Sequence, residues 1–263
     1  MEVIHTRSRF SLSTIFRRNE HTIFDLILRL AVIAAVVLTP LVFLTEFRSQ
    51  FDLHKSLIFS LLTLVAVLAW LAKIVFRKGM RYRRTMLDIP VAVFGLLYVV
   101  VTMFSTNWFQ SIAGVSNYYQ HTLTVMVFTI LFFYVIVNNF RTRQEIEALL
   151  GSWLAAGVVV TVVSFFQLLG WYPFAADSTH LPDFNLIGSS ALALGFYLVS
   201  LLPLLLGWMI KAQRPVQRIA LFVATVLNFA VLALLDYGLV WYFAIGTLFV
   251  YILFLSLRAK KHD

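Results

Sequence analysis

The 263-residue chain contains no cysteine. That absence excludes disulfides, thiolate nucleophiles, iron–sulfur clusters and cysteine-based zinc sites. Charge is also scarce. Only 13% of the residues are Asp, Glu, Lys or Arg, against about 25% in a soluble domain. No Gly-rich phosphate loop, His-Glu-x-x-His pair or nucleophile elbow occurs anywhere, so any chemistry must be non-covalent positioning of a substrate. What the chain has instead is apolar mass: 61% hydrophobic residues, 25 of them Phe, and a mean hydropathy of +0.88. A soluble fold of this size could not cover that much Phe, Leu and Val. The excess requires a second apolar solvent, a lipid bilayer.

A helix crossing the hydrocarbon needs roughly 20 mostly apolar residues. Such runs lie at about 23–44, 57–76, 89–104, 122–137, 149–169, 186–210, 219–235 and 239–257. The last two share the stretch Ile219–Leu257, about 58 Å long at 1.5 Å per residue. That is nearly twice the bilayer core, so the stretch must fold back at its polar break, Asp236-Tyr237-Gly238. The expectation is an all-α integral membrane protein, a polytopic bundle of about eight transmembrane helices. Residues 1–22 form a basic cytoplasmic segment ahead of it and 258–263 a cytoplasmic tail. Within the first segment, Phe10, Leu12, Ile15 and Phe16 alternate with Arg9, Arg17 and Arg18. This pattern suits either an interfacial helix on anionic lipid or a solvated tail. It is not a cleaved signal, because its apolar run is too long and seven more follow.

Charge supplies the orientation. With eight crossings and a cytoplasmic N-terminus, nineteen of the 21 basic residues and seven of the 12 acids fall on the cytoplasmic side. The outer side receives Arg48, Lys55 and five acids, so the faces carry +12 and −3. This is the distribution of the positive-inside rule with both termini cytoplasmic. The net charge of +9 therefore reports topology and does not imply a nucleic-acid partner.

Few polar residues lie within the runs. Asp25 and Arg29 are spaced i, i+4, which predicts a local ion pair with Arg29 snorkelling. Thr161, Ser164 and Gln167 share a helical face and Asn228 stands in the seventh run, all read as interhelical hydrogen-bonding positions. Gly151, Ala155, Ser190, Ala191 and Gly195 suit close packing of the fifth and sixth runs, and Pro40 and Pro203 suit kinks. No chain of buried acids suggests a proton relay.

Two outer loops are long and aromatic. Residues 105–120 carry Trp108, Phe109, Tyr118 and Tyr119, and residues 171–185 carry Trp171, Tyr172, Phe174 and Phe184. Such residues form headgroup-level belts, and their faces also suit sugar rings and polyprenyl chains. The second loop adds Asp177, His180 and Asp183. On a helix these would share a face as a metal site or a base beside a carboxylate, but Pro173 and Pro182 disfavour a helix there. No metal or cofactor is expected.

The order of motifs carries a resemblance. Arg83-Arg84-Thr85-Met86-Leu87-Asp88-Ile89-Pro90 leads into a run ending Phe104-Ser105-Thr106-Asn107. Then follow Ser111-Ile112-Ala113-Gly114, the Tyr118–Tyr119 pair and Gln167-Leu168-Leu169-Gly170. Last come Phe184-Asn185-Leu186-Ile187-Gly188-Ser189 and Leu202-Pro203-Leu204. Over roughly residues 30 to 257, this resembles the N-terminal half of the O-antigen ligase and polymerase superfamily of bacterial membrane proteins. The resemblance implies glycan transfer from a polyprenyl-pyrophosphate carrier at the outer face of the cytoplasmic (inner) membrane, as in lipopolysaccharide biosynthesis, without a metal. It also implies outer arginines that hold the pyrophosphate and a histidine base in a large late loop.

On that basis the catalytic candidates are His180, Asp183 and Asn185, and the substrate-binding candidates Arg48, Tyr118, Tyr119, Trp171 and Asp236. The expected partners are membrane lipids and a polyprenyl-pyrophosphate-linked glycan. The chain departs from the family in several respects. It has eight runs where members usually have about ten to twelve. Tyr118, Tyr119 and Gln120 stand where the first long loop often has an Arg, and only Arg48 and Lys55 are basic on the outer side. Asp236-Tyr237-Gly238 stands where members often have Ser-Arg-Gly, and the late histidine loop has no counterpart here. The expectation is thus a glycosyltransferase-type activity completed by further spans and a loop, in a truncated or inactive form otherwise. The alternatives are a transporter or flippase, or a non-catalytic scaffold of the cell envelope.

Overall fold

The computed structural model describes residues 23–42, 51–76, 83–114, 119–172, 185–188 and 190–259. Their order is α1 (Ile23–Leu41), α2 (Phe51–Phe76), α3 (Asp88–Met103), α4 (Trp108–Ala113), a 3₁₀ turn (Tyr119–His121), α5 (Leu123–Asn139), α6 (Arg143–Leu168), α7 (Ala191–Lys211), α8 (Pro215–Leu235) and α9 (Gly238–Ala259). There is no strand among the described residues, only an isolated bridge between Asn185 and Gly188. Five helices are long and apolar enough to cross a membrane: Ile23–Leu41, Leu53–Phe76, Arg143–Leu168, Ala191–Lys211 and Pro215–Leu235. Asp88–Met103, Leu123–Asn139 and Gly238–Phe254 are shorter apolar helices. The protein is therefore a helical, multi-pass membrane protein.

Local chemistry sets the helix ends. The Thr122 hydroxyl accepts the Val125 N–H at 3.3 Å and starts α5. Thr142 and Glu145 form a reciprocal capping box at the start of α6. Ser190 caps α7, and Pro215 occupies the first turn of α8, where its missing N–H costs nothing. Gly170, at φ 83°, ends α6. The Gly170 N–H bonds Gln167 O at 2.9 Å and the Trp171 N–H bonds Phe166 O at 3.0 Å, a Schellman closure. The polar break at Asp236-Tyr237 does separate two helices. Asp236 adopts the left-handed conformation there, with φ 49° and ψ 41°, a role that Asp fills more readily than most side chains.

Two apolar clusters form the interior. One joins α1, α2 and α5 around Leu28, Val32, Ala66, Ala69 and Val135. The other joins α6 to α9 around Val160, Leu198, Leu202, Leu205, Val231 and Val240, and takes in Leu186 from the loop. The first cluster also takes in Leu149 of α6, so α6 joins the two halves. Outside, the helices expose large side chains, such as Ile89 at 76% and Phe254 at 68%. In water such a surface would aggregate; in lipid it costs nothing.

The expected close packing of the fifth and sixth runs occurs at a different glycine. A Cβ on Gly157 would lie 2.4 Å from Leu201 Cδ1, so this is where α6 and α7 touch. Gly195 faces Val240 of α9 instead, at 2.6 Å. Residues 195 and 201 are six apart, which places them on different sides of a helix with 3.6 residues per turn. One side of α7 meets α6, and another meets α9. The predicted start of the sixth run at residue 186 also shifts, because Asn185–Gly188 is a turn and α7 begins at Ala191.

The long helices alternate in direction. One end of the bundle gathers the start of α1, the end of α2, the end of α5, the start of α6 and the α7–α8 turn, joined by ion pairs described below. This is termed the charged end. The opposite, loop end gathers the end of α1, the start of α2, the 3₁₀ turn, the end of α6, the 185–188 turn and the α8–α9 turn.

Candidate functional site

The loop end is built around Lys55. Its side chain is buried at the start of α2, with 4% of the residue exposed. The ammonium donates to Thr39 O at 2.9 Å, Pro40 O at 3.1 Å and Leu186 O at 2.6 Å. It thereby ties the last turn of α1 to the loop ahead of α7. Hydropathy alone starts this run at Leu57, but α2 begins at Phe51, so Lys55 stands inside the helix. Beside it, the Asn185 side-chain carbonyl accepts the N–H groups of Ile187 at 2.9 Å and Gly188 at 3.0 Å. Leu186 between them is buried in the larger core.

The other described candidates line this end without converging on one point. Tyr119 is half-buried in the 3₁₀ turn, which packs against α2. Its carbonyl accepts the Thr122 hydroxyl at 3.0 Å. Trp171 is exposed and stands edge-on to Phe166, with ring centroids 4.8 Å apart. That contact is the apolar clasp of the α6 cap. Asp236 is exposed in its turn. Asn185, proposed as a catalytic candidate, instead has its carbonyl oxygen committed to two backbone amides, because a turn leading from loop into core must satisfy its own N–H groups. Arg48, Tyr118, Asp177, His180 and Asp183 lie outside the described residues, as does the segment 1–22. Among the described residues no group of three His, Asp or Glu could hold a metal ion.

The charged end holds residues whose roles the sequence did not reveal. Lys73, in the last turn of α2, meets the carboxylate of Asp25 and donates to Asn139 Oδ1 at 3.0 Å. Arg29 pairs with Glu145 at 2.6 Å. The expected local pair of Asp25 with Arg29 is thus replaced by two pairs across helix interfaces. α1 lies between α2 and α6, and each charge finds a partner on the helix it faces. Glu145 also accepts the N–H groups of Arg141 at 2.9 Å and Thr142 at 3.0 Å. Asn138 Oδ1 accepts the Arg83 N–H at 2.8 Å, which attaches the segment before α3. The sequence signal was present in Lys73, Asn138 and Asn139, polar residues at the ends of apolar runs. Farther up the bundle, Asn228 Nδ2 reaches Thr161 Oγ1 at 3.5 Å, the interhelical contact anticipated for these positions.

Chemically, the described loop end can clamp and position groups, and its exposed side chains include Trp108, Phe109, Gln110, His121, Trp171 and Asp236. No protein-family profile, curated protein or solved structure matches this chain.

Proposed function

We propose that the chain is an eight-pass protein of the bacterial cytoplasmic membrane, with both termini cytoplasmic. Its loop end acts in transfer or polymerisation of polyprenyl-pyrophosphate-linked glycans, as an O-antigen-ligase-like protein. The observation that carries the reading is the sorting of groups along the bundle. Arg29, Lys73, Arg141, Arg143, Lys211 and Arg214 stand at one end, and the anchors of both aromatic loops stand at the other. Such asymmetry is what the positive-inside rule requires. The shorter helices fit this reading. The 16 residues of α3 span about 24 Å, and a bilayer thins locally around a helix somewhat shorter than its core.

The missing cysteines make the topology directly testable, because any introduced thiol is unique. Gln110→Cys and Asp236→Cys are expected to react with a membrane-impermeant maleimide added to whole cells, and Gln213→Cys only after lysis. Labelling of Gln213→Cys from outside would overturn the orientation. For the activity, the full-length gene product in proteoliposomes is expected to transfer labelled glycan from its polyprenyl carrier to an acceptor. No transfer under conditions that support a known ligase would count against it. Flux of the intact lipid-linked sugar would favour a flippase.

A second reading, a non-catalytic scaffold of the envelope, is favoured by one observation. The Lys55 ammonium is buried among three backbone carbonyls, a structural commitment rather than a pyrophosphate cradle. Crosslinking to neighbouring envelope proteins in the absence of transfer would establish that reading.

A further inference from the structure

Four cations at the charged end have acidic partners. Arg29 pairs with Glu145, Lys73 with Asp25, and Arg143 and Lys211 share Glu147. Where α3 begins and α5 ends, arginines gather without one. Asn138, 2% exposed near the end of α5, holds two of them. Its side-chain carbonyl accepts the Arg83 N–H at 2.8 Å, and its backbone carbonyl accepts Arg141 Nε at 3.0 Å. Its amide nitrogen donates to Tyr134 O at 2.8 Å, which fixes the orientation of the side chain. Arg83 is attached through its backbone, so its side chain, like that of Arg84 beside it, stands exposed.

No described carboxylate pairs with Arg83, Arg84 or Arg141. The two acids nearest in sequence are committed elsewhere. Asp88 accepts the Thr85 N–H at 3.0 Å and the Thr85 hydroxyl at 2.6 Å. Glu145 pairs with Arg29 and accepts the backbone N–H groups of Arg141 and Thr142. The other end of this helix pair, residues 104–123, contains no Asp, Glu, Lys or Arg at all.

The surroundings of the arginines are those of a headgroup layer. Met86 is 98% exposed and Ile89 is exposed on the first turn of α3, so apolar surface begins within a few residues of Arg83. Farther along, α3 closes on α5 at Gly95, where a Cβ would lie 3.0 Å from Ile130 Cδ1. Gly95 is about 10 Å along the helix from Asp88. The arginines therefore stand at the water-facing end of a helix pair whose flank is apolar and open. A guanidinium binds phosphate oxygens through two parallel N–H groups, the match that an ammonium lacks.

We infer that Arg83, Arg84 and Arg141, positioned by Asn138, bind the headgroup phosphate of an anionic phospholipid whose acyl chains lie along α3. A soluble phosphate offers the same oxygens, but the exposed Met86 and Ile89 favour a ligand with an apolar part. The inference rests on α3 and α5 crossing the bilayer, as proposed above, and not on the glycan reading. The Gln110→Cys labelling tests that crossing separately.

The test uses the full chain in nanodiscs of mixed phosphatidylglycerol and phosphatidylcholine, with retained lipid counted by native mass spectrometry after extraction. The chain is expected to retain about one phosphatidylglycerol in preference to phosphatidylcholine. Arg83→Gln with Arg84→Gln leaves the bond to Asn138 in place, because a backbone N–H makes it. This variant is expected to lower the preference about tenfold. Arg214→Gln with Arg218→Gln removes two equally exposed cations from the α7–α8 turn and should leave the preference near its original value. Equal loss in the two variants would mean that charge at this end acts collectively, and would overturn the inference. So would equal retention of the two lipids by the unmodified chain, or an undiminished preference in the Arg83, Arg84 variant. Displacement of the retained lipid by inorganic phosphate would assign the arginines to a soluble anion and would equally reject the lipid.

Discussion

Lys73→Met is expected to destabilise the protein in detergent by about 3 kcal/mol or more, the range seen when one partner of a buried ion pair is removed. Methionine keeps the length and apolar stem of the lysine, so lost packing contributes little. The substitution takes away the cation that meets Asp25 and the donor that meets Asn139. Both side chains of the ion pair are nearly closed off, 10% and 6% exposed, so water cannot substitute for the missing ammonium. Three helices, α1, α2 and α5, lose their common contact. A double-mutant cycle separates this from a general weakening. Asp25→Asn with Lys73→Met should be less destabilised than the two single variants added together, with a coupling of about 1–3 kcal/mol. The exposed pair of Lys211 and Glu147, 52% and 33% exposed, provides the control. Lys211→Met should change stability by about 0–1 kcal/mol. Denaturation titrations in mixed micelles measure all four variants. If Lys73→Met unfolds at the wild-type midpoint, the buried pair contributes no net stability.

The contrast with Arg29 shows what can be read from a membrane sequence. Eight apolar runs were visible because a length of about 20 residues is a property of each segment alone, and helices occupy all eight. The fifth run was expected to end at residue 169, and α6 closes there through the Gly170 and Trp171 amides. Partnerships were not. Asp25 and Arg29 sit at the spacing of a local pair, and only the packing of α1 between α2 and α6 decides that each turns outward to a different helix. The same limit applied to glycines. Gly195 was singled out for its small neighbours, whereas Gly157 makes the α6–α7 contact because Leu201 comes to it from another helix. At the loop end the gap was wider. Polar Asp52, His54 and Lys55 look like loop residues by hydropathy, yet all stand inside α2. Three acceptors that hold Lys55 are backbone carbonyls, which carry no residue identity.

Lys55→Met is the second change expected to have a large effect, and its effect should be local before it is global. Thr39 and Pro40 lie in the last described turn of α1, and both carbonyls accept from the Lys55 ammonium. A cation there satisfies them and suits the negative end of the helix dipole. The same ammonium holds Leu186 O, 131 residues away in sequence. Hydrogen bonds to a charged group contribute about 1.5–3 kcal/mol each, and three that share one donor do not add fully. The expected loss is about 3–5 kcal/mol. Its first sign should be faster hydrogen exchange at the Ile187 and Gly188 amides, because the turn that Asn185 closes loses its tie to α1 and α2. Asn185→Ala should accelerate the same two amides while leaving the last turn of α1 unchanged, since its bonds stay within the turn. Lys55→Arg should rescue only in part, because a planar guanidinium cannot point its donors at three oxygens arranged around a single ammonium. Unchanged exchange at residues 187 and 188 in Lys55→Met would show that the tie does not hold the turn. A Lys55→Met variant that folds normally but no longer binds a pyrophosphate-linked lipid would move this lysine from scaffold to substrate recognition.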